Sequence, residues 1–148
     1  MKMNFFKLLP LMAILALASC KKDDPSVVDL LKDDKGWILK ALVSDPPIDF
    51  FGTQITDIYS QFDNCEKDDI TFFQDDNKYL VDEGPTKCDS ADPQTTTGTW
   101  LLSADEKVMT VDGDSWDILE ISKSTLRVKY QFSDGTLNYN WTATFAHP

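Results

Sequence analysis

Carboxylates dominate the side chains that could do chemistry in this chain, and the groups that would have to work with them are few. Across 148 residues there are 25 Asp and Glu against 14 Lys and Arg, three Cys and a single His, for a formal net charge of -11. His147 is one residue from the end and reads as a solvated tail residue, and a single histidine removes most metal and most Ser-His or Cys-His chemistry. The acid pairs Asp33-Asp34, Asp68-Asp69 and Asp75-Asp76 suggest weak surface calcium at most. Adjacent side chains on a strand point to opposite faces and into solvent. Asp112-Gly113-Asp114-Ser115-Trp116-Asp117 has the outline of a calcium loop, but Trp116 stands at a ligand position and no glycine follows where the turn needs one, so it reads as a hairpin turn. Two acids facing each other for glycoside hydrolysis have no signature in the spacing. No catalytic residue, metal ligand or cofactor site is assigned, and the chain is not read as an enzyme. The negative balance also argues against nucleic acid as a partner, because phosphate backbones would be repelled.

Charge is unevenly placed. Residues 1–19 hold two lysines, Lys2 and Lys7, and no acid, so all the acids lie from Cys20 onward. The lysines precede an apolar run from Leu8 to Ala18, which is the layout of a secretory signal and too short for a comfortable membrane span. It ends Leu17-Ala18-Ser19-Cys20, which resembles the lipobox of bacterial lipoproteins, where the cysteine thiol is acylated and cleavage makes it the first residue. The implied partner is a membrane, reached through N-terminal acyl chains on Cys20. Lys21-Lys22-Asp23-Asp24 directly afterwards is similar to the export signal of Bacteroidota surface lipoproteins. Localisation is therefore expected at the outer membrane, lipid-anchored and facing the cell exterior. The expected organisation is a cleaved signal over 1–19, a lipidated tether with a short helical turn over 20–35, and a folded domain over 36–148.

Export to an oxidising compartment leaves Cys65 and Cys88 to pair with each other. Between them lie two strand-like runs, Ile70-Thr71-Phe72-Phe73 and Lys78-Tyr79-Leu80-Val81. A two-residue loop at Asp76-Asn77 opposes Phe72 to Val81 and Phe73 to Leu80, and the same register carried outward opposes Cys65 to Cys88. Two cysteines without histidines are too few for zinc.

The rest of the chain reads as strands and tight turns. Ser26 with Asp29 forms a capping box for a helical turn over Val27 to Leu31. A first strand runs from Trp37 to Val43, Pro46-Pro47 starts a long connection, and Ile55 to Phe62 reads as a short helix. Strands then follow at Thr99 to Leu102, Lys107 to Val111, Ser115 to Ile121, Thr125 to Phe132 and Leu137 to Phe145, making eight with the hairpin. A two-residue loop at Asp134-Gly135 opposes Phe132 to Leu137, Tyr130 to Tyr139, Val128 to Trp141 and Leu126 to Ala143. A loop at Lys123-Ser124 opposes Ile121 to Leu126, Leu119 to Val128 and Glu120 to Arg127. A loop at Gly113-Asp114 opposes Val111 to Trp116 and Met109 to Ile118, yet these four fall on the face opposite Leu119 and Ile121. Such a meander with one apolar face closes most economically into a barrel, which removes its edges.

At this point the residues resemble a family. Gly36-Trp37, the stretch Cys65-Glu66-Lys67-Asp68-Asp69-Ile70-Thr71-Phe72, then Asp82-Glu83-Gly84, Cys88 and Thr97-Gly98-Thr99-Trp100 look like the lipocalin-like domains of Bacteroidota lipoproteins, over about Gly36 to Phe145. The resemblance implies an all-β, eight-stranded antiparallel up-and-down β-barrel with one or two short helices and a calyx, with no activity to carry over. In larger lipocalins a basic residue on a late strand packs over the opening tryptophan; here the only arginine, Arg127, falls on the face away from Leu126 and Val128.

Two functions fit such a molecule. One is a binding module whose lumen takes a small apolar or amphipathic ligand. The other is a structural or interaction module of a cell-envelope complex, its barrel filled by its own side chains. In the registers above Thr110, Asp117, Tyr130 and Tyr139 form a polar row beside Trp141 on the inward face, the candidate ligand-facing set, with satisfaction of a buried Asp117 by the tyrosines as the plainer reading. Asp89-Ser90-Ala91 looks like a short O-glycosylation sequon with Ser90 as acceptor. The molecule is read as a monomeric barrel or one subunit of a complex.

Overall fold

A computed structural model describes residues 24–148. Cys20, Lys21, Lys22 and Asp23, with the whole leader, lie outside the described residues, and of the export motif only the exposed Asp24 is within them. The helical turn α1 (Val27–Leu31) forms as expected, with the Ser26 hydroxyl accepting from the Asp29 backbone N–H and the Asp29 carboxylate accepting from the Ser26 N–H.

Nine strands follow: β1 (Trp37–Phe50), β2 (Thr53–Asp57), β3 (Ile70–Phe73), β4 (Lys78–Asp82), β5 (Thr95–Leu102), β6 (Val108–Val111), β7 (Asp114–Ile121), β8 (Thr125–Ser133) and β9 (Asn138–Ala146). β1 and β3 to β9 make the closed antiparallel barrel of eight strands; closure comes from β1 pairing with β9, from Ile38 opposite Ala146 to Asp45 opposite Asn140. β2 is additional and pairs only with the second half of β1. The expected connection from Pro46-Pro47 is thus strand, and the helix expected over Ile55 to Phe62 is β2 followed by a single 3-10 turn, Tyr59–Gln61. The prolines are tolerated because they fall beyond the last β1–β9 pair at Asp45 and before the β2 ladder resumes at Ile48, where no backbone donor is required. A second helical turn, α2 (Asn64–Lys67), precedes β3.

Three hairpin registers differ from expectation, and the turns give the reasons. In β3–β4 the observed pairs are Phe72 with Leu80 and Phe73 with Tyr79, one residue from the expected register, because Gln74 N–H donates to the Lys78 carbonyl and the loop has three residues. Asp76 and Asn77 both take positive φ, 58° and 59°, which short polar side chains tolerate. In β6–β7 the loop is Asp112-Gly113, φ 48° and 96°, the pairing expected of a primed two-residue turn, so Met109 faces Trp116. In β8–β9 the loop spans Asp134 to Leu137, its carboxylate accepting from the Thr136 and Leu137 N–H groups at 2.8 Å each, and Tyr130 therefore faces Trp141, with Phe132 facing Tyr139.

The β7–β8 register is as expected at Ile121–Leu126 and Glu120–Arg127, but a bulge at Leu119 then pairs Ile118 with Val128 and Trp116 with Tyr130. That extra residue removes the conflict of faces: Leu119 is 48% exposed, while Trp116, Ile118 and Ile121 all pack on the core.

The disulfide between Cys65 and Cys88 is formed, with Cα atoms 5.2 Å apart. Its geometric origin is not the one expected. Cys65 belongs to α2 and Cys88 to the connection between β4 and β5, so the bond joins two irregular segments rather than opposed strand positions.

Around Leu31, Trp37, Leu42, Phe73, Trp100, Met109, Leu126, Val128 and Ala143 the core is continuous. α1 caps one end, where the Trp37 indole N–H donates to the Leu31 carbonyl at 3.0 Å. His147 is not a solvated tail. Its ring lies 4.2 Å from that of Trp37, and its Nδ1 is 2.6 Å from the Gly36 carbonyl oxygen; a carbonyl only accepts, so Nδ1 carries the proton. His147 thus provides the basic residue over the opening tryptophan, while Arg127 is exposed beside Glu120.

Candidate functional site

The barrel forms a partly open cavity of about 190 Å³ lined by Trp37, Thr71, Phe73, Tyr79, Val81, Val111, Trp116, Leu126 and Phe145. Strand alternation explains the set. Thr71 and Phe73 on β3 oppose Val81 and Tyr79 on β4, so all four share the inward face. On β7 it is the Leu119 bulge that lets Trp116 share a face with Leu126 and Phe145.

β5 contributes space. Gly98 is directly opposite Tyr79, and a Cβ built on it would come within 2.4 Å of the tyrosine ring, so glycine is required for that ring to lie across the strand. The phenol then donates to Asp112, whose carboxylate also accepts from the Thr99 backbone N–H at 2.7 Å. Burial, with the bond to Asp112 second, pushes the Tyr79 hydroxyl up to about 12, so it stays protonated across the physiological range. Trp100 completes this corner, its indole N–H donating to the Gln74 carbonyl at 3.1 Å and its ring edge-on to Phe73. The stretch Thr97-Gly98-Thr99-Trp100 singled out in the sequence is therefore a device for seating Tyr79 and Phe73.

Half of the polar side-chain groups of the lining are committed. Trp37 N–H and Tyr79 O–H have protein acceptors, which leaves the Thr71 hydroxyl and the Trp116 indole N–H without a hydrogen-bond partner among the described residues. No charged side chain lines the cavity.

None of the five candidate ligand-facing residues lines it. Asp117 is exposed, paired with Val108 and Lys129 on the outer face, where it borders a polar depression with Ser115, Gln131 and Asn140. Thr110 opposes Ser115, and its neighbours Met109 and Val111 take the inward positions. Tyr130 and Trp141 do face inward, but they fill the barrel. Trp116 stacks on Tyr130 at 4.6 Å, Tyr130 meets Trp141 edge-on, and Trp141 stacks on Phe132 at 4.3 Å. Burial pushes the Tyr130 hydroxyl up to about 12. The indole N–H of Trp141 is buried without a partner. Tyr139 is 3% exposed and donates to the Asp134 carboxylate at 2.9 Å, bracing the β8–β9 turn. The polar row came from registers displaced by two residues and from the missing bulge. Phe73, Tyr79 and Val81 were legible only with the three-residue loop, for which the signal was Asp and Asn at successive positions able to take positive φ.

Ser90 is exposed in the β4–β5 connection. Among the described residues no three His, Cys, Asp or Glu side chains are grouped to hold a metal, and no helix is long and apolar enough to cross a membrane.

A closed eight-stranded barrel opening on Gly36-Trp37, with a ring over the tryptophan and an apolar lumen, defines a lipocalin-like protein. A family model described as a lipocalin-like domain matches residues 37–139, and the chain belongs to that family. No curated protein and no solved structure matches it.

Proposed function

We propose that this protein is a lipid-anchored binding module of the outer membrane, displayed on the cell exterior, whose lumen takes a small apolar ligand. The observation that carries the binding half is the apolar cavity inside the barrel: an interior meant only for self-packing would close it, since an empty apolar void of this kind costs stability. The fold is one that binds and carries small molecules. The reading as an interaction module with a filled barrel applies to the part occupied by Tyr130 and Trp141, and leaves the Trp37–Trp116 space unexplained.

The anchoring half is supported by the residues before the barrel. Lys2 and Lys7, the apolar run and Leu17-Ala18-Ser19-Cys20 make Cys20 the acylation site, and Lys21-Lys22-Asp23-Asp24 the surface signal. Cys20→Ala should release the protein from membranes on fractionation; unchanged association would refute acylation there. Replacing Lys22, Asp23 and Asp24 with alanine should abolish proteinase accessibility on whole cells. Ser90 is proposed as an O-glycan acceptor, so Ser90→Ala should remove any excess mass of the protein isolated from its own host. For the lumen, native mass spectrometry of the protein from that host should show a co-purified small molecule, lost on denaturation; a bare protein mass under conditions that preserve the fold would count against a resident ligand.

A further inference from the structure

We propose that the cavity is built for an uncharged guest of single-ring size, of the alkylbenzene or phenol class, and rejects carboxylate-headed molecules; this rests on the lumen being a binding site.

Size comes first. At about 190 Å³ the space exceeds the roughly 150 Å³ known to hold a benzene-sized guest and falls below the roughly 300 Å³ where drug-sized ligands begin. A long acyl chain or a polyene would need the volume that the Tyr130 and Trp141 rings already occupy.

Charge comes second. The lining contains no cation, and the Asp112 carboxylate that accepts from the Tyr79 phenol would repel an anion. A buried carboxylate would exchange its water for at most two neutral donors, the Thr71 hydroxyl and the Trp116 N–H, with no countercharge. The chain as a whole adds a formal net charge of -11.

Shape and polarity come third. Trp37, Phe73, Trp116 and Phe145 present aromatic surface, which favours offset or edge-on contact with a ring. Only the Thr71 hydroxyl and the Trp116 N–H remain to meet a polar substituent, so one neutral hydroxyl can be accommodated and a second would be left unpaired.

The test uses the full chain carrying Cys20→Ala, so that no acyl chain competes for the lumen, titrated calorimetrically with toluene, p-cresol, benzoate and retinol at pH 7.5. Toluene and p-cresol should bind saturably at one site, at least about tenfold tighter than benzoate, which matches p-cresol in ring size but carries charge. Bound toluene should show proton contacts to the Val81 and Val111 methyls by NMR, a readout that needs no variant in the barrel. Val111→Phe, which fills the cavity, should lose binding of both neutral guests while keeping its circular dichroism. Benzoate binding as well as p-cresol at the same methyls would overturn the exclusion of charge and leave lumen binding intact. Retinol displacing toluene with equal or better affinity would overturn the size limit alone. Failure of all four to bind the folded protein would overturn this proposal together with the binding reading on which it rests.

Discussion

Asp69 shows how one side chain couples stability to pH. Its Oδ1 is buried without a hydrogen-bond partner, as is Oδ1 of the adjacent Asp68. Burial, reinforced by Glu83, Asp68, Glu66 and Asp82, pushes the Asp69 carboxyl up to about 6. The folded state therefore holds its proton more tightly than the unfolded chain does. Stability from this group is fully present below about pH 4 and is lost as pH rises through about 6. Asp69→Asn should raise the unfolding free energy at pH 7.5 by on the order of 1 kcal/mol after solvent screening, read as a higher melting temperature, and the gain should vanish at pH 4. A gain that persists at pH 4 would mean that charge is not the cause. Gly98 makes the opposite point, since its lack of a side chain is what matters: Gly98→Ala should cost about 2 kcal/mol or more, because the Tyr79 ring must leave the strand surface. Its fluorescence signature should be an altered Trp100 environment, and Tyr79→Ala in the same background should restore part of the loss.

The bulge at Leu119 is the element-level feature that orders the barrel interior. Because it turns Ile118 inward and Leu119 outward, truncation of neighbouring aliphatic residues should have unequal effects. Ile118→Ala should destabilise by about 2 kcal/mol or more in denaturant unfolding, and Leu119→Ala by less than about 1 kcal/mol. Reversed magnitudes would show that the strand is unbulged. α1 is similarly decisive for so short an element. It survives because Leu31 is fully buried against the barrel end and its carbonyl is held by Trp37, rather than through helix propensity, which is marginal at this length. Leu31→Ala should accordingly cost about 3 kcal/mol, measurable by urea denaturation.

Closure dominates at the scale of the whole molecule. The β1–β9 ladder removes the free edges of the eight-stranded sheet, and the Cys65–Cys88 bond ties the segment before β3 to the connection after β4. A loop closed over a separation of 23 residues should stabilise the fold by about 3 kcal/mol on the chain-entropy argument, so reduction should lower the urea midpoint without changing lumen binding, which lies on other residues. The cavity pulls the other way. Val111→Ile should fill part of it and raise stability by about 0.5–1 kcal/mol while weakening neutral-guest binding, the exchange expected where an open site is kept at a cost in packing.

Local rules carried much of this protein in its sequence alone. The capping box at Ser26, the strand runs, the pairing of Cys65 with Cys88, and the antiparallel barrel are consequences of alternation, turn residues and cysteine number, which act over a few residues or need only a count. Tertiary structure decided which rows meet. A register error of two residues, as at Asp134-Gly135 and at Gly113-Asp114, leaves inside and outside unchanged but moves every cross-strand neighbour, which is why Tyr130 meets Trp141 rather than Tyr139 and Asp117 meets Val108 rather than Thr110. An error of one residue, as in β3–β4, exchanges the faces and hid Tyr79 and Val81 from the lumen. The bulge at Leu119 and the docking of His147 on Trp37 have no local signature, because each is selected by contacts between segments far apart in the chain: the bulge by the need to bury Trp116 and Ile118 together with Ile121, the histidine by barrel closure bringing the end of β9 beside Gly36.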